Sequence, residues 1–259
     1  MHTIIDLDPY IDVKKLMSLN MEIKAGIANC TATGNIEIFT PENVTEPAHM
    51  KFAELYNNLN DLTDPKYFPV LKELIPDMKQ LLEFMSVLKS TDFEKSAKKQ
   101  FVGLAINNSI CSQEIRIRET SVGYTTFPKD YRLVGQEGTN EYKPAAKYFP
   151  KLCEYIENDL PLTEIGRVQI MFNNIGQQTA QHRDLIEEGL RVDMMWLCPE
   201  GNKAFWVQND EGKKIYAPGY SVWFNNTSVH GTDAKPNASY SIRIDGKFPD
   251  EFAQEIGID

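Results

Sequence analysis

Cysteine is scarce in this chain of 259 residues: Cys30, Cys111, Cys153 and Cys198 are widely scattered and form no C-x-x-C pair. That spacing excludes a dense disulfide framework and reads as reduced structural thiols, so the expected compartment is the cytoplasm. Positive charge is also short, with 27 Lys and Arg against 37 Asp and Glu. A net charge of −10 disfavours a duplex nucleic-acid partner, since phosphate contacts require clustered cations. No apolar run approaches membrane-spanning length, and Met1 to Asp8 lacks the basic start and apolar core of a secretory signal, so no membrane partner is expected. Repeats and low-complexity linkers are missing too, and a chain 42% hydrophobic at this length can bury one large core. The expectation is a single domain over residues 1–259.

The pattern of what is present changes near residue 100. Residues 1–100 read as mostly helical. Met78, Leu81, Leu82, Met85 and Leu88 recur at three- and four-residue steps, with Pro76 suited to a first helical turn, and a further helix is expected over 48–59. Residues 101–259 read as strands and turns, apart from a helix over 144–158 opening at Pro144. Phe101 to Ile106 is an apolar run, and Glu114 to Arg118 alternates strictly. Further strands are expected at 167–173, 191–197, 204–208, 221–224 and 239–248. Ala217-Pro218-Gly219-Tyr220 is a turn whose glycine is free to take positive φ. The fold class expected is α+β, an N-terminal helical layer packed on a C-terminal antiparallel barrel.

Histidine is as scarce as cysteine, and two of the four fall into one arrangement: His182-Arg183-Asp184, then His230. Two imidazoles and one carboxylate on a divalent metal leave adjacent positions open, as non-haem Fe(II) oxygenases require. One residue between His182 and Asp184 lets a strand end aim both at one ion, and the third ligand must then arrive from another strand. Thirteen residues after His230 stands Arg243, in the alternating Ser241-Ile242-Arg243-Ile244-Asp245. Alternation places Arg243 on one strand face, with Ile242 and Ile244 on the other. Each residue has a plainer reading: a solvated turn for His182 and Asp184, a loop histidine for His230, an arginine paired with Asp245 across the pleat for Arg243.

His182-x-Asp184…His230…Arg243, on short strands after a helical half, resembles the double-stranded β-helix (jelly-roll, cupin-like barrel) of Fe(II)/2-oxoglutarate-dependent dioxygenases. Within that superfamily it is most similar to the aspartyl/asparaginyl hydroxylase-like branch, which includes proline hydroxylases. The resemblance covers residues 166–248. It implies that His182, Asp184 and His230 hold Fe(II), that 2-oxoglutarate chelates the iron, and that Arg243 grips its distal carboxylate through a planar guanidinium. O₂ then completes the set, and a C–H of an amino acid, free or in a peptide or protein, is hydroxylated with release of succinate and CO₂. Retention of Asp184 favours hydroxylation over halogenation. By the same resemblance Arg191 lines the co-substrate or substrate pocket. Asp193 shares its strand face and departs from the family's histidine; it either binds a cationic substrate group or pairs with Arg191. Asn173 and Gln178 either donate to 2-oxoglutarate or form ordinary turns. The rival reading is a non-oxidative cupin-like metal protein, a sensor or an isomerase. Substrate identity and oligomeric state lie beyond the sequence, as does the choice between a lid and a surface loop for residues 107–145.

Overall fold

The structure, a computed structural model, describes residues 3–38, 64–74, 77–88, 112–119, 142–184 and 193–258. It is an antiparallel, sheet-rich α+β fold. In chain order come β1 (Ile4–Asp6), α1 (Val13–Ser18), α2 (Asn20–Thr33), β2 (Glu37–Ile38), α3 (Phe68–Leu74), α4 (Met78–Leu88), β3 (Gln113–Arg118) and α5 (Pro150–Asn158). There follow β4 (Glu164–Asn173), β5 (Asp193–Leu197), β6 (Ala204–Gln208), β7 (Lys214–Tyr216), β8 (Ser221–Phe224), β9 (His230–Asp233), β10 (Ser239–Lys247) and α6 (Asp250–Ile256). The larger sheet runs β1-β8-β5-β10-β4-β3-β2 and the smaller β7-β6-β9. The helix expected over 48–59 and the strand over 101–106 lie outside the described residues.

Strand alternation gives the large sheet two different faces. Tyr240, Ile242 and Ile244 of β10, Val168, Ile170 and Phe172 of β4, and Met195 and Leu197 of β5 turn to one side. There they join Leu16, Ile23, Phe149, Leu152 and Ile156 of the helical layer in one core. The opposite face turns to the small sheet. Trp196 of β5 stacks on Phe205 of β6 with centroids 5.1 Å apart, within an apolar cluster that also holds Met194, Val207, Val222 and Phe224. The helical layer thus backs the large sheet, and the side chains between the sheets are free to form a site.

Local chemistry explains where the structure departs from expectation. The helix read over 144–158 is two pieces, a 3-10 segment at Pro144–Tyr148 and then α5. Phe149 precedes Pro150, whose ring disfavours helical backbone at its neighbour, and Phe149 sits at φ −132°, ψ 44°. Glu22 of α2 then accepts the first free amides of α5, those of Lys151 and Leu152 at 3.2 and 2.9 Å. In α4, Leu81 is buried while Met78 and Leu82 are exposed, so the apolar stripe is narrower than its spacing suggested. Gly219 is not among the positive-φ glycines; its role is room, since a Cβ there would stand 2.3 Å from Asp8 Oδ2. Asp8 accepts from the amides of Tyr220 and Ser221 and from the Ser221 hydroxyl at 2.7–3.1 Å, pinning the N-terminal segment to β8. No helix among the described residues is long and apolar enough to cross a membrane.

Gly26 yields a prediction on which two effects disagree. Alanine in a helix interior is favoured over glycine by about 1 kcal/mol. A Cβ at Gly26, however, would lie 2.2 Å from Cε1 of the fully buried Phe149. Overpacking of a tight core costs about 1–3 kcal/mol. Gly26→Ala therefore lowers the thermal midpoint, and a raised midpoint would show that α2 does not pack flush on Phe149.

Candidate metal centre

His182 and His230 are brought together by backbone. His182 N donates to His230 O at 3.0 Å and His230 N to His182 O at 2.9 Å, a two-way bridge that joins the segment after Thr179 to β9. Asp184 is placed by its own amide, which donates to Asn226 O at 3.0 Å. The metal-binding atoms of the three side chains lie within 4.8 Å of one another, and this is the one such group of His, Cys, Asp or Glu among the described residues. Each histidine Nε2 stands 3.8 Å from an Asp184 oxygen, His182 from Oδ1 and His230 from Oδ2.

The histidines are held in the form a metal requires. His182 Nδ1 contacts Ala180 O at 2.8 Å and His230 Nδ1 contacts Ser228 O at 2.9 Å. A carbonyl only accepts, so each Nδ1 carries the proton and each Nε2 turns its lone pair toward Asp184. Burial holds both imidazoles below their ordinary pKa, His230 at about 3 with further repulsion from His182, so both are neutral near pH 7. Burial pushes the Asp184 carboxyl up, but the Arg243 guanidinium and the two imidazoles outweigh it and leave it below the usual carboxylate range. Two neutral imidazoles and one carboxylate, preassembled and buried, fit a divalent ion of the Fe(II) type.

A narrow pocket of about 20 Å³ opens against this group. Trp196, Phe205 and Phe224 give it apolar walls, and Thr179, Lys203, Thr232, Ser241 and Arg243 give it polar ones. Phe224 and Phe205 also meet the His230 ring edge-on, at 5.1 and 6.2 Å.

The remaining residues expected at the site fare differently. Arg243 does face the pocket, with Ile242 and Ile244 in the core behind it, but its guanidinium is already engaged by two carboxylates. Nη2 lies 3.0 Å from Asp184 Oδ2, and Nε donates to Asp245 Oδ1 at 3.1 Å. The pairing with Asp245 across the pleat is therefore present, alongside the ion pair with Asp184. Asp193 must be corrected. It shares its strand face with Met195 and Leu197, so it turns to the helical side, where its carboxylate accepts the Phe248 amide at 2.8 Å. Asn173 is buried on the same face of β4 as Met171 but does not line the pocket. Arg191 lies outside the described residues.

Lys203 is the residue that sequence reading missed. It is 6% exposed and lines the pocket, and its Nζ donates to the Met171 carbonyl at 2.7 Å. In the wall of the same pocket the Thr179 hydroxyl is buried with no hydrogen-bond partner among the described residues, while the Thr179 amide is tied to Thr232 Oγ1 at 2.7 Å. A lysine beside an alternating strand carries no distinctive spacing. Its only signal was its place at the start of a predicted inner strand.

No family model matches the chain, and no curated protein does. Solved structures that superpose on it include 2-oxoglutarate-Fe(II) oxygenases. A prolyl hydroxylase from Trichoplax adhaerens, in complex with a hypoxia inducible factor peptide fragment, is 12% identical over 43% of this chain and 61% of its own, with a TM-score of 0.31. A 2-oxoglutarate-Fe(II) family oxidoreductase from Burkholderia pseudomallei is 13% identical over 53% and 71%, TM-score 0.32. A prolyl-4-hydroxylase from Pseudomonas putida is 11% identical over 54% and 72%, TM-score 0.30. At such identities no residue role is transferred from these proteins, and the chemistry rests on the site itself.

Proposed function

We propose that this chain is an Fe(II)- and 2-oxoglutarate-dependent oxygenase of the double-stranded β-helix type, hydroxylating an unactivated C–H of an amino acid, free or within a peptide or protein. The observation that carries this reading is the buried His182–Asp184–His230 group, with both Nδ1 atoms tied to carbonyls, opening on a pocket that holds a buried lysine. When bound, Fe(II) with 2-oxoglutarate supplies the O₂ chemistry: one oxygen atom enters the substrate C–H, and the other leaves in succinate as CO₂ departs.

The chain's own residues do the rest. His182 and His230 offer Nε2, and Asp184 offers a carboxylate kept ionised by Arg243. In this reading Arg243 orients Asp184, and Lys203 with Thr179 holds the distal carboxylate of the co-substrate. An ammonium and a hydroxyl donate to that carboxylate from a site where charge-assisted bonds are strong. Trp196, Phe205 and Phe224 exclude water from the reacting end.

Anaerobic addition of Fe(II) and then 2-oxoglutarate is expected to give the weak visible charge-transfer band of an iron-chelated keto acid. His182→Ala removes the band together with metal binding. A wild-type protein that binds Fe(II) yet shows neither the band nor 2-oxoglutarate binding is a metal protein of another kind, and the oxygenase reading then fails.

A further inference from the structure

Lys203 is an unusual cation. Among the described residues the pocket lining contains no aspartate or glutamate, and the carboxylate of the metal group, Asp184, is paired with Arg243. The Met171 carbonyl on β4 accepts from Lys203, the Cys198 thiol at the end of β5 is the one titratable group near enough to act on it among the described residues, and Arg243, His182 and His230 line the same pocket. The Cys198 thiol is held protonated by burial, and the imidazoles are neutral. None of these supplies a negative charge. One carbonyl and a wall of aromatic side chains cannot replace the water that an ammonium gives up, so the charged form is disfavoured while nothing else is bound.

We propose that Lys203 is an uncharged amine while the pocket is empty and becomes an ammonium only with its anion, so that the co-substrate and a proton bind together. This rests on the reading that a 2-oxo dicarboxylate enters the pocket. The dianion supplies the missing charge, and the proton comes from solvent as the anion arrives. Burial holds the empty-pocket lysine near pH 7, at about 7 against its ordinary 10.5, and the adjacent carboxylate raises it. Below that pH the lysine is already charged and no proton is gained. Above it each bound anion brings roughly one proton, and the 2-oxoglutarate Kd rises roughly tenfold per pH unit. Entry of the co-substrate is thereby coupled to pH in the range where cells work.

Calorimetry on the metal-loaded protein, in buffers of different ionisation enthalpy, counts the protons directly. With 2-oxoglutarate the expected uptake is roughly one proton at about pH 8.5 and close to none at about pH 6. Oxalate offers a bidentate chelating head, of two carboxylates, with no distal carboxylate, and is expected to bind with no uptake. Lys203→Arg, which stays charged throughout, is expected to bind 2-oxoglutarate with no uptake. Zero uptake in the wild type at the higher pH overturns the proposal. So does uptake that persists with oxalate or in Lys203→Arg, because the proton would then go to a metal-bound solvent molecule. The oxalate arm needs no variant, so a misfolded Lys203→Arg protein leaves the test intact. Failure of the metal-loaded protein to bind either ligand sinks the oxygenase reading itself, and this proposal with it.

Discussion

In the Asp184→Asn protein, Fe(II) affinity falls by well over about 100-fold and 2-oxoglutarate turnover is lost. The comparison that sets this floor is that removing a group which merely orients a metal ligand costs roughly 10–100-fold, and Asp184 is a ligand itself. Asparagine keeps the shape and one oxygen but removes the only negative charge among the three ligands. The same change strikes the apo fold. Arg243 is 7% exposed and divides its guanidinium between Asp184 and Asp245. Breaking a buried pair by removing one partner costs about 3–5 kcal/mol, and the retained Asp245 pulls this site toward the lower end. The sign with pH follows from the direction of the shift. Asp184 titrates below its ordinary value in the folded chain, so its contribution is present above the usual carboxylate range and is lost as pH falls through it. Thermal unfolding of apo wild type and Asp184→Asn should therefore differ most near neutral pH and converge in acid. Unchanged Fe(II) affinity in the variant would mean that the three side chains do not form one metal site.

The strands that carry the site were largely legible because their alternation is strict. Ser241 to Asp245 and Glu114 to Arg118 place every second residue in a fully apolar core, and the pattern survives at the level of single residues. The H-x-D…H group was legible because histidine is rare here, so its spacing stands out. Of the short strands, β8 was read at its full extent of 221–224, whereas β7 and β9 were not: β7 is exposed throughout, and β9 begins at the ligand His230 in polar sequence. Helix α2 lay inside the half read as mostly helical but carried no periodic signal of its own, because its buried face is only Ile23, Gly26 and Cys30. Asp193 was misplaced through the face on which it was assumed to lie; alternation within β5 sets it beside Met195 and Leu197, and its strand is read correctly only with the register of β10 in hand. Lys203 and Thr179 were invisible for a similar reason. They line one pocket because β6 and β9 pair in the small sheet and Thr179 is hydrogen-bonded to Thr232 of β9, and nothing in their local sequence encodes that neighbourhood.

Lys203→Met should separate stability from function. The variant removes a buried amine whose one hydrogen-bond acceptor among the described residues is a backbone carbonyl, and it replaces the stem with an apolar chain of similar length. Losing one partner of a buried charge-assisted contact costs about 2–5 kcal/mol of binding, which corresponds to a 2-oxoglutarate Kd raised by roughly 30- to 4000-fold. Fe(II) affinity stays within a few-fold of wild type, because Lys203 is not among the ligand atoms. The apo protein, in contrast, gains stability, since a group placed for a ligand and not for the fold is a liability until the ligand arrives. That gain carries its own pH signature. The folded-state value of Lys203 lies near 7, below the ordinary 10.5 of the unfolded chain, so between those values the unfolded state binds the extra proton and wild-type stability rises with pH. The penalty is therefore fully present below about pH 7, and Lys203→Met is most stabilised relative to wild type there, with the difference shrinking toward pH 10. Urea unfolding of both apo proteins across that range measures it. A variant less stable than wild type at every pH, with 2-oxoglutarate binding intact, would identify Lys203 as a structural tether to Met171 and return the distal carboxylate to Arg243.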